Sequence, residues 1–259
     1  MIILNARYPG PVIVDKFVKF LEWDTDFFSF PVGRITAAGL DDENIRLILN
    51  EARSAGLRCL YFEADPNDVT TVTAVEKSNF HLVDVRVVLE YPFDTHPAPF
   101  LRYPVHPDLV VSQSTESDLP LLENIAEEIG QFSRYTFDRN FKPGENNRLY
   151  RLWIRKSCSG YADVVYVARW KDTGEAAVGL ITCVMQNDIG HIQLAGVHHQ
   201  HRQKGVGTGL VQTALDWAKG QRARRMQVVT QARNVPAQRL YQQMGFFTRS
   251  VTLFYHKWL

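Results

Sequence analysis

The chain has 259 residues, of which 45% are apolar and 22% charged, and its net charge is +1. This composition is typical of a globular protein long enough for two modest cores, and the balanced charge argues against a general nucleic-acid binder. No apolar run approaches the length of a membrane span, and the N-terminus has neither a basic leader nor a long apolar stretch. We therefore expect a cytoplasmic protein with no membrane or nucleic-acid partner.

Three cysteines, Cys59, Cys158 and Cys183, are an odd number at scattered spacings. That pattern argues against a disulfide framework and against a zinc site, so we expect reduced thiols packed in cores and no metal.

The first third of the chain predicts an α/β unit. An aromatic stretch, Phe17 to Phe30, is followed by apolar spacing typical of a helix, then a strand, a turn, a second helix and an alternating strand. These four elements cover residues 44–56, 57–64, 69–80 and 81–91. Five prolines between Pro92 and Pro107 then indicate a linker, which we place at 94–107 between domains 1–93 and 108–259.

The second domain opens with a strand from Leu109, a helix at 120–130 and a segment rich in aromatic and basic residues. Two strands at 163–170 and 175–186 follow, and a hairpin turn is predicted at 171–174. The later elements are a helix at 210–220, a strand at 226–230 and a helix over 235–246.

The stretch from Ile192 to Leu210 begins as a strand and ends in three glycines at alternate positions, Gly205, Gly207 and Gly209, at the start of a helix. Backbone N–H groups and the helix dipole at such a start favour an anion, so a phosphate or pyrophosphate is the expected ligand. A dinucleotide-binding fold would need G-x-G-x-x-G and an acidic residue after the next strand, and a P-loop would need G-K-[ST]. Neither pattern is present.

The pattern that fits is Arg202-x-x-Gly205-x-Gly207, followed about 30 residues later by Asn234 and an A-x-x-L-Y-x-x-x-G-F run. The two motifs together resemble the GNAT superfamily of N-acetyltransferases. The resemblance implies an α/β (α+β) GNAT fold, with mixed central sheets flanked by helices, and acetyl-CoA as cosubstrate. The matching residues of the second motif are Asn234, Ala237, Leu240, Tyr241, Gly245 and Phe246.

The resemblance also implies roles for these residues. Backbone N–H groups around Ala195 and Val197 would pair with pantetheine and polarise the thioester carbonyl, and Asn234 would bond the pantetheine arm. Tyr241 would be the general acid for the departing thiolate, since its ordinary pKa near 10 keeps it protonated. The pyrophosphate would lie on the loop and helix start formed by Arg202, Lys204, Gly205, Val206, Gly207, Thr208 and Gly209.

The general base is left open by the sequence. His191 and His198 flank the strand and have the right pKa range, and a water chain is the alternative.

The sequence indicates a weak internal repeat between the two halves of the chain, and the alternative is that any two α/β segments would align as well. A shift of 166 positions lays Asn44 to Glu90 over Leu210 to His256, in the same order of elements. The first copy lacks the glycine motif, so it is expected to be a truncated GNAT-like unit that does not bind coenzyme A.

A closer resemblance is to the dTDP-fucosamine N-acetyltransferases, and it implies a nucleotide-linked amino sugar as acceptor. Arg134, Tyr135, Tyr150 and Trp153 are then the acceptor-site candidates, because arginine pairs with phosphate and aromatic rings stack on bases and sugars. The alternatives are a polyamine, amino acid or peptide amine as acceptor, or a catalytically silent acyl-CoA-binding module. A homodimer is expected, since C-terminal strands of the superfamily often pair between subunits. The residues carrying this resemblance are Leu21, Trp23, Phe27, Phe28, Ser133, Arg134, Tyr150, Trp153 and Ile154.

Overall fold

The computed structural model describes residues 17–94, 105–171 and 176–259. Contacts between Cα atoms divide them into two compact units. The first contains the described residues up to Arg86 together with Val251–Leu259, and the second is Val87–Ser250. Most of the predicted linker, and the predicted turn at 171–174 apart from Lys171, lie outside the described residues.

The first unit alternates strands and helices. Its core is formed by alternate side chains of the strands, which point to one face of the sheet, and by the apolar faces of the helices. The core includes Ile45, Ile48, Phe62 and Tyr255. The sheet order is β1-β2-β3-β10, with β2 parallel to β3 and β10 antiparallel to it. Its elements are β1 (Val18–Phe20), α1 (Glu22–Phe28), β2 (Val32–Ile35), α2 (Asn44–Ser54), β3 (Cys59–Ala64), α3 (Val69–Lys77) and the beginning of β4 (His81–Pro92).

The second unit begins within β4 and has the strand order β4-β9-β8-β7-β6-β5. β5 to β8 are antiparallel neighbours, and β9 is parallel to β8. Its elements are β5 (Leu109–Gln113), α4 (Leu119–Gly130), α5 (Arg134–Phe137), α6 (Glu145–Lys156), β6 (Val164–Trp170), β7 (Gly179–Gln186), β8 (Ile189–Val197), α7 (Val206–Gly220), β9 (Arg225–Gln231), α8 (Val235–Gln243) and β10 (Phe247–Trp258), whose last residues belong to the first unit.

Helices cover both faces of the sheet in this unit. A Cβ placed on Gly196 would lie 2.5 Å from Ile129 of α4, whereas one on Gly179 would lie 2.9 Å from Leu210 of α7. Gly179 pairs with Val197, the neighbour of Gly196, and successive strand residues point to opposite faces. Therefore α4 and α7 lie on opposite faces of the sheet.

The predicted repeat agrees with the observed bounds of the helices and strands. Shifted by 166 positions, α3 falls on α8 and β4 falls on β10 at both ends, while β3 falls on β9 to within one residue. The caps correspond as well: Asp68 accepts from the N–H of Thr71, and Asn234 accepts from the N–H of Ala237. The sequence predicted these elements to within a few residues but missed β1, α1, β2 and α5, which are short, and α6, whose few apolar residues are separated by many charged and polar ones.

None of the helices in the described ranges has both the length and the hydropathy needed to cross a bilayer.

Candidate active site

The site is organised by two parallel strands that part from each other. β8 pairs with β9 only from Ile189 to Ile192, although β8 continues to Val197 and β9 to Gln231. The two strands therefore separate beyond Ile192. We call this gap between β8 and β9 the split. It lies at the carboxyl ends of two parallel strands, where α/β sheets commonly bind ligands.

Two predicted backbone donors face the split. The N–H of His198 donates to the Val178 carbonyl, on the β7 side of β8. Since successive N–H groups of a strand point to opposite edges, those of Val197 and Ala195 point away from β7, toward the split. Both residues are only partly buried. Their N–H groups are thus placed to bond an extended chain lying along β8.

A β-bulge marks the beginning of the split. Ile192 pairs with Cys183 and Leu194 with Thr182, so Gln193 is the extra residue. The Thr182 hydroxyl accepts a hydrogen bond from the Leu194 N–H at 3.1 Å, so this N–H has a partner despite the bulge. The side-chain oxygen of Gln193 is buried and has no hydrogen-bond partner among the described residues. The bulge therefore brings a polar acceptor to the beginning of the split.

The glycine loop leads directly into α7. Gly205 has φ +79°, in the left-handed region that favours glycine, and it caps the helix. The Gly209 N–H donates to the Gly205 carbonyl at 3.0 Å, which is the first intrahelical bond. The N–H groups of Val206, Gly207 and Thr208 precede that bond and are available to an anion.

The three glycines differ in what they do. Only Gly205 has a conformation that requires glycine, whereas Gly207 and Gly209 allow close packing. A Cβ on Gly207 would lie 2.9 Å from Leu240 of α8, and one on Gly209 would lie 2.7 Å from Leu109 of β5. Two of the three glycines therefore serve helix packing as well as the helix start.

The side chain of Arg202 does not point along the helix start. Its Nε donates to the Val197 carbonyl at 3.0 Å and its Nη2 donates to Glu128 at 2.6 Å. Arg202 therefore fastens the loop to β8 and to the end of α4. Lys204 is exposed, while Val206, the first residue of α7, is buried in the core.

Asn234 begins α8 as its cap. Its side-chain oxygen accepts the Ala237 N–H at 3.3 Å. That oxygen is engaged, and the amide nitrogen is the part of Asn234 that remains to donate to a ligand.

Tyr241 is buried, with 4% of its surface exposed, in the core between α7 and the sheet. Burial raises the pKa of its hydroxyl well above the ordinary value, and the neighbouring Cys183 adds to the increase. Cys183 pairs with Ile192, the last residue of β8 that pairs with β9. Tyr241 is therefore a protonated tyrosine close to the beginning of the split.

The two histidine candidates have different surroundings. His191 is half-buried on β8, and burial lowers the pKa of its imidazole. Its neighbour Ile192 belongs to the core on the α7 face, so the His191 side chain lies on the α4 face. His198 lies at the other end of β8, with its Nε2 3.8 Å from a Glu128 oxygen.

The predicted acceptor residues lie on α5 and α6. Tyr135 and Tyr150 are mostly buried, and Tyr150 packs against Trp153 with 5.7 Å between ring centroids. Arg134 donates to the Tyr135 hydroxyl and stacks on its ring. The Trp153 indole N–H is buried and has no hydrogen-bond partner within the described parts of the chain. Trp153 thus offers a donor, while the two tyrosines serve mainly packing.

Gln193, Glu128 and the contact of Arg233 with Phe137 were not predicted from the sequence. The Arg233 guanidinium lies 3.7 Å from the Phe137 ring centroid, which joins α5 to the turn between β9 and α8. A polar residue inside an apolar strand was the available signal for Gln193. The other contacts join residues far apart in the chain and have no local signal.

Comparison with known proteins agrees with this geometry. Residues 128–246 match the model of the acetyltransferase (GNAT) family. The chain is 29% identical over 126 residues to the spore coat polysaccharide biosynthesis protein SpsD of Bacillus subtilis, an alignment that covers 49% of this chain and 43% of the relative. It is 38% identical over 71 residues to a streptothricin acetyltransferase of Escherichia coli, covering 27% of this chain and 41% of the relative. The aligned part is thus less than half the length of either relative.

The fold is also that of solved GNAT proteins. A GCN5-related N-acetyltransferase from Sphaerobacter thermophilus superposes with a TM-score of 0.65 at 15% identity, over 93% of this chain and 76% of the other. At this identity the likeness shows the fold. The chain therefore has a GNAT fold, and its residues 128–246 match the model of the GNAT acetyltransferase family.

Proposed function

We propose that this protein is an acetyl-CoA-dependent N-acetyltransferase that transfers the acetyl group directly to the primary amine of a nucleotide-linked amino sugar. The observation that carries the transfer chemistry is the split between β8 and β9, with backbone donors along one side, a protonated Tyr241 at its beginning and the α7 start at its other end. The residues present fit acetyl-CoA. The N–H groups of Ala195 and Val197 would bond pantetheine, and the start of α7 would bond the pyrophosphate.

In the proposed reaction the amine nitrogen attacks the thioester carbonyl carbon. The new C–N bond forms as the C–S bond breaks, and the departing thiolate takes its proton from the Tyr241 hydroxyl. The proton lost by the amine passes to His191, directly or through water. Burial favours the neutral imidazole at His191, which is the form that accepts a proton.

The placement of acid and base supports this division of roles. Tyr241 belongs to the core on the α7 face, and the His191 side chain lies on the α4 face of the same strand. An amine entering from the α4 face would meet His191 first, while the thiolate would leave on the side of Tyr241. α6, which carries Trp153, packs against α4 on that entry side.

The choice of acceptor rests on a relative and on two side chains. SpsD is named for spore coat polysaccharide biosynthesis, which favours a sugar as the acceptor. Trp153 and Gln193 provide a buried donor and a buried acceptor that sugar hydroxyl and amino groups would satisfy. The streptothricin acetyltransferase relative favours a second candidate, an amine that carries no nucleotide.

The test is thiol release from acetyl-CoA in the presence of a panel of nucleotide amino sugars, free amino sugars, streptothricin, polyamines and peptides. Mass spectrometry of the products identifies the acetylated amine. We expect the highest kcat/KM with a nucleotide amino sugar. Faster turnover of streptothricin or a polyamine would retain the transferase and reject the sugar, and acetyl-CoA binding without any product would reject catalysis.

We also propose that the protein is a homodimer, which can be tested by measuring its molar mass in solution by light scattering. The C-terminal strand is not the contact we expect, because Leu253–Trp258 of β10 pair with β3 of the same chain.

A further inference from the structure

Three metal-ligating side chains converge where the end of α4 meets the segment after β8. Glu128, His198 and His199 each present one ligand atom, and the three atoms lie within 4.8 Å of one another. We propose that these residues form a zinc site. The scattered cysteines predicted no metal, and this site uses none of them.

The distances are close to those that zinc requires. Two ligand atoms bound 2.0–2.1 Å from a tetrahedral zinc are separated by about 3.4 Å. One oxygen of Glu128, Oε1, lies 2.8 Å from His199 Nδ1 and 3.8 Å from His198 Nε2. A zinc ion would replace the hydrogen bond between His199 Nδ1 and Glu128 Oε1 and would bring the three atoms, which lie within 4.8 Å of one another, to that spacing. Two imidazoles and one carboxylate suit zinc better than magnesium or calcium, which prefer oxygen ligands alone.

The carboxylate is held from its other side. Arg202 Nη2 donates to Glu128 Oε2 at 2.6 Å, while its Nε is fixed on the Val197 carbonyl. Carboxylates that bind metals are commonly hydrogen-bonded in this way, which orients the free oxygen toward the ion. The Glu128 side chain is 16% exposed and that of His199 is 59% exposed, so the fourth ligand position is open to water.

A zinc ion there would join α4 to the segment that leads into the glycine loop. Because the same Arg202 fastens that loop to Val197, the metal would reduce the mobility of the whole connection between β8 and α7. The expected consequence is a higher unfolding temperature in the presence of zinc.

The experiment titrates protein without an affinity tag with Zn²⁺ by calorimetry, and with Co²⁺ by visible absorption. We expect one equivalent of Zn²⁺ per chain and a Co²⁺ spectrum with d–d bands but without the intense thiolate bands of a cysteine site. His199→Ala and Glu128→Gln should each weaken Zn²⁺ binding at least about tenfold, since each removes a ligand.

His81→Ala is the matched control, because His81 is an exposed histidine at the beginning of β4. It should leave the zinc affinity unchanged. Wild-type protein that binds Zn²⁺ no more tightly than the His199→Ala variant would overturn the proposal, and Glu128 would then serve only the ion pair with Arg202. Circular dichroism of each variant verifies that it is folded, and the exposure of His199 makes its replacement structurally mild.

Discussion

Tyr241 is the residue on which the proposed chemistry most depends. Replacing it by Phe removes the proton donor while keeping the buried ring and its contact with Phe246. We expect kcat to fall about 100-fold, within the range for loss of a general acid, with the acetyl-CoA dissociation constant nearly unchanged. Single-turnover kinetics and calorimetry measure the two quantities.

The control for this variant is Tyr255→Phe, because Tyr255 is a comparably buried tyrosine of the first unit. It should leave turnover unchanged. If Tyr241→Phe turned over at the wild-type rate, the hydroxyl would have no part in catalysis and Tyr241 would be a packing residue only.

The proposed role of His191 leads to a separate prediction about the pH dependence of kcat/KM. The amine must be neutral to attack, so log kcat/KM for the acceptor should fall with slope one as pH drops below the amine pKa. His191 must also be neutral, and burial lowers the pKa of its imidazole below the usual value of about 6.5. Below that second pKa the slope should increase to two, because both groups are then protonated.

His191→Asn should retain slope one over the whole acid range and lower kcat/KM about 100-fold near neutral pH. The measurement is a pH–rate profile with an amine of known pKa. A slope of two in the variant, or an unchanged rate, would transfer the role of base to water.

The contact between the helices α7 and α8 positions the site. Gly207 lies so close to Leu240 that a Cβ would be 2.9 Å from Leu240 Cδ2, and Leu240 directly precedes Tyr241. Gly207→Ala should therefore displace α8, lower the free energy of unfolding by about 1–3 kcal/mol and reduce kcat. Urea unfolding and steady-state kinetics measure both effects.

Gly220→Ala is the matched change at the other end of the same helix. A Cβ there meets no atom within 4 Å, and its φ is not in the left-handed region. Because alanine favours a helix over glycine, we expect a gain of up to about 1 kcal/mol and unchanged kcat. A loss at Gly220→Ala equal to that at Gly207→Ala would mean that the contact with Leu240 does not explain the cost of Gly207→Ala.

Across the two units, the sequence predicted more of the helices and strands than of the contacts between them. The repeat could be found because apolar periodicity and cap residues are local, and α3 and α8 have the same bounds after the shift. The partner of Arg202 could not be found, because Glu128 is 74 positions away. The bulge at Gln193 depends on strand register, which neighbouring residues do not determine.

The repeat also shows why one half of the chain is expected to bind acetyl-CoA. Asp41 is the first-unit counterpart of Gly207, and its carboxylate accepts the N–H groups of Glu43 and Asn44 at the start of α2. Asp42 and Glu43 add negative charge there. The position that a phosphate would occupy at this helix start is therefore filled by the chain's own carboxylate.

We accordingly predict that calorimetry finds one equivalent of acetyl-CoA per chain. Gly207→Asp would place a carboxylate at the α7 start as Asp41 does at α2, and it should abolish the binding. Gly207→Ala shares the crowding against Leu240 without the charge, so it should retain weakened binding and separate the steric from the electrostatic effect. Two equivalents in the wild type would mean that a second acetyl-CoA site exists away from the start of α7. One equivalent remaining in Gly207→Asp would mean that acetyl-CoA binding does not depend on that helix start.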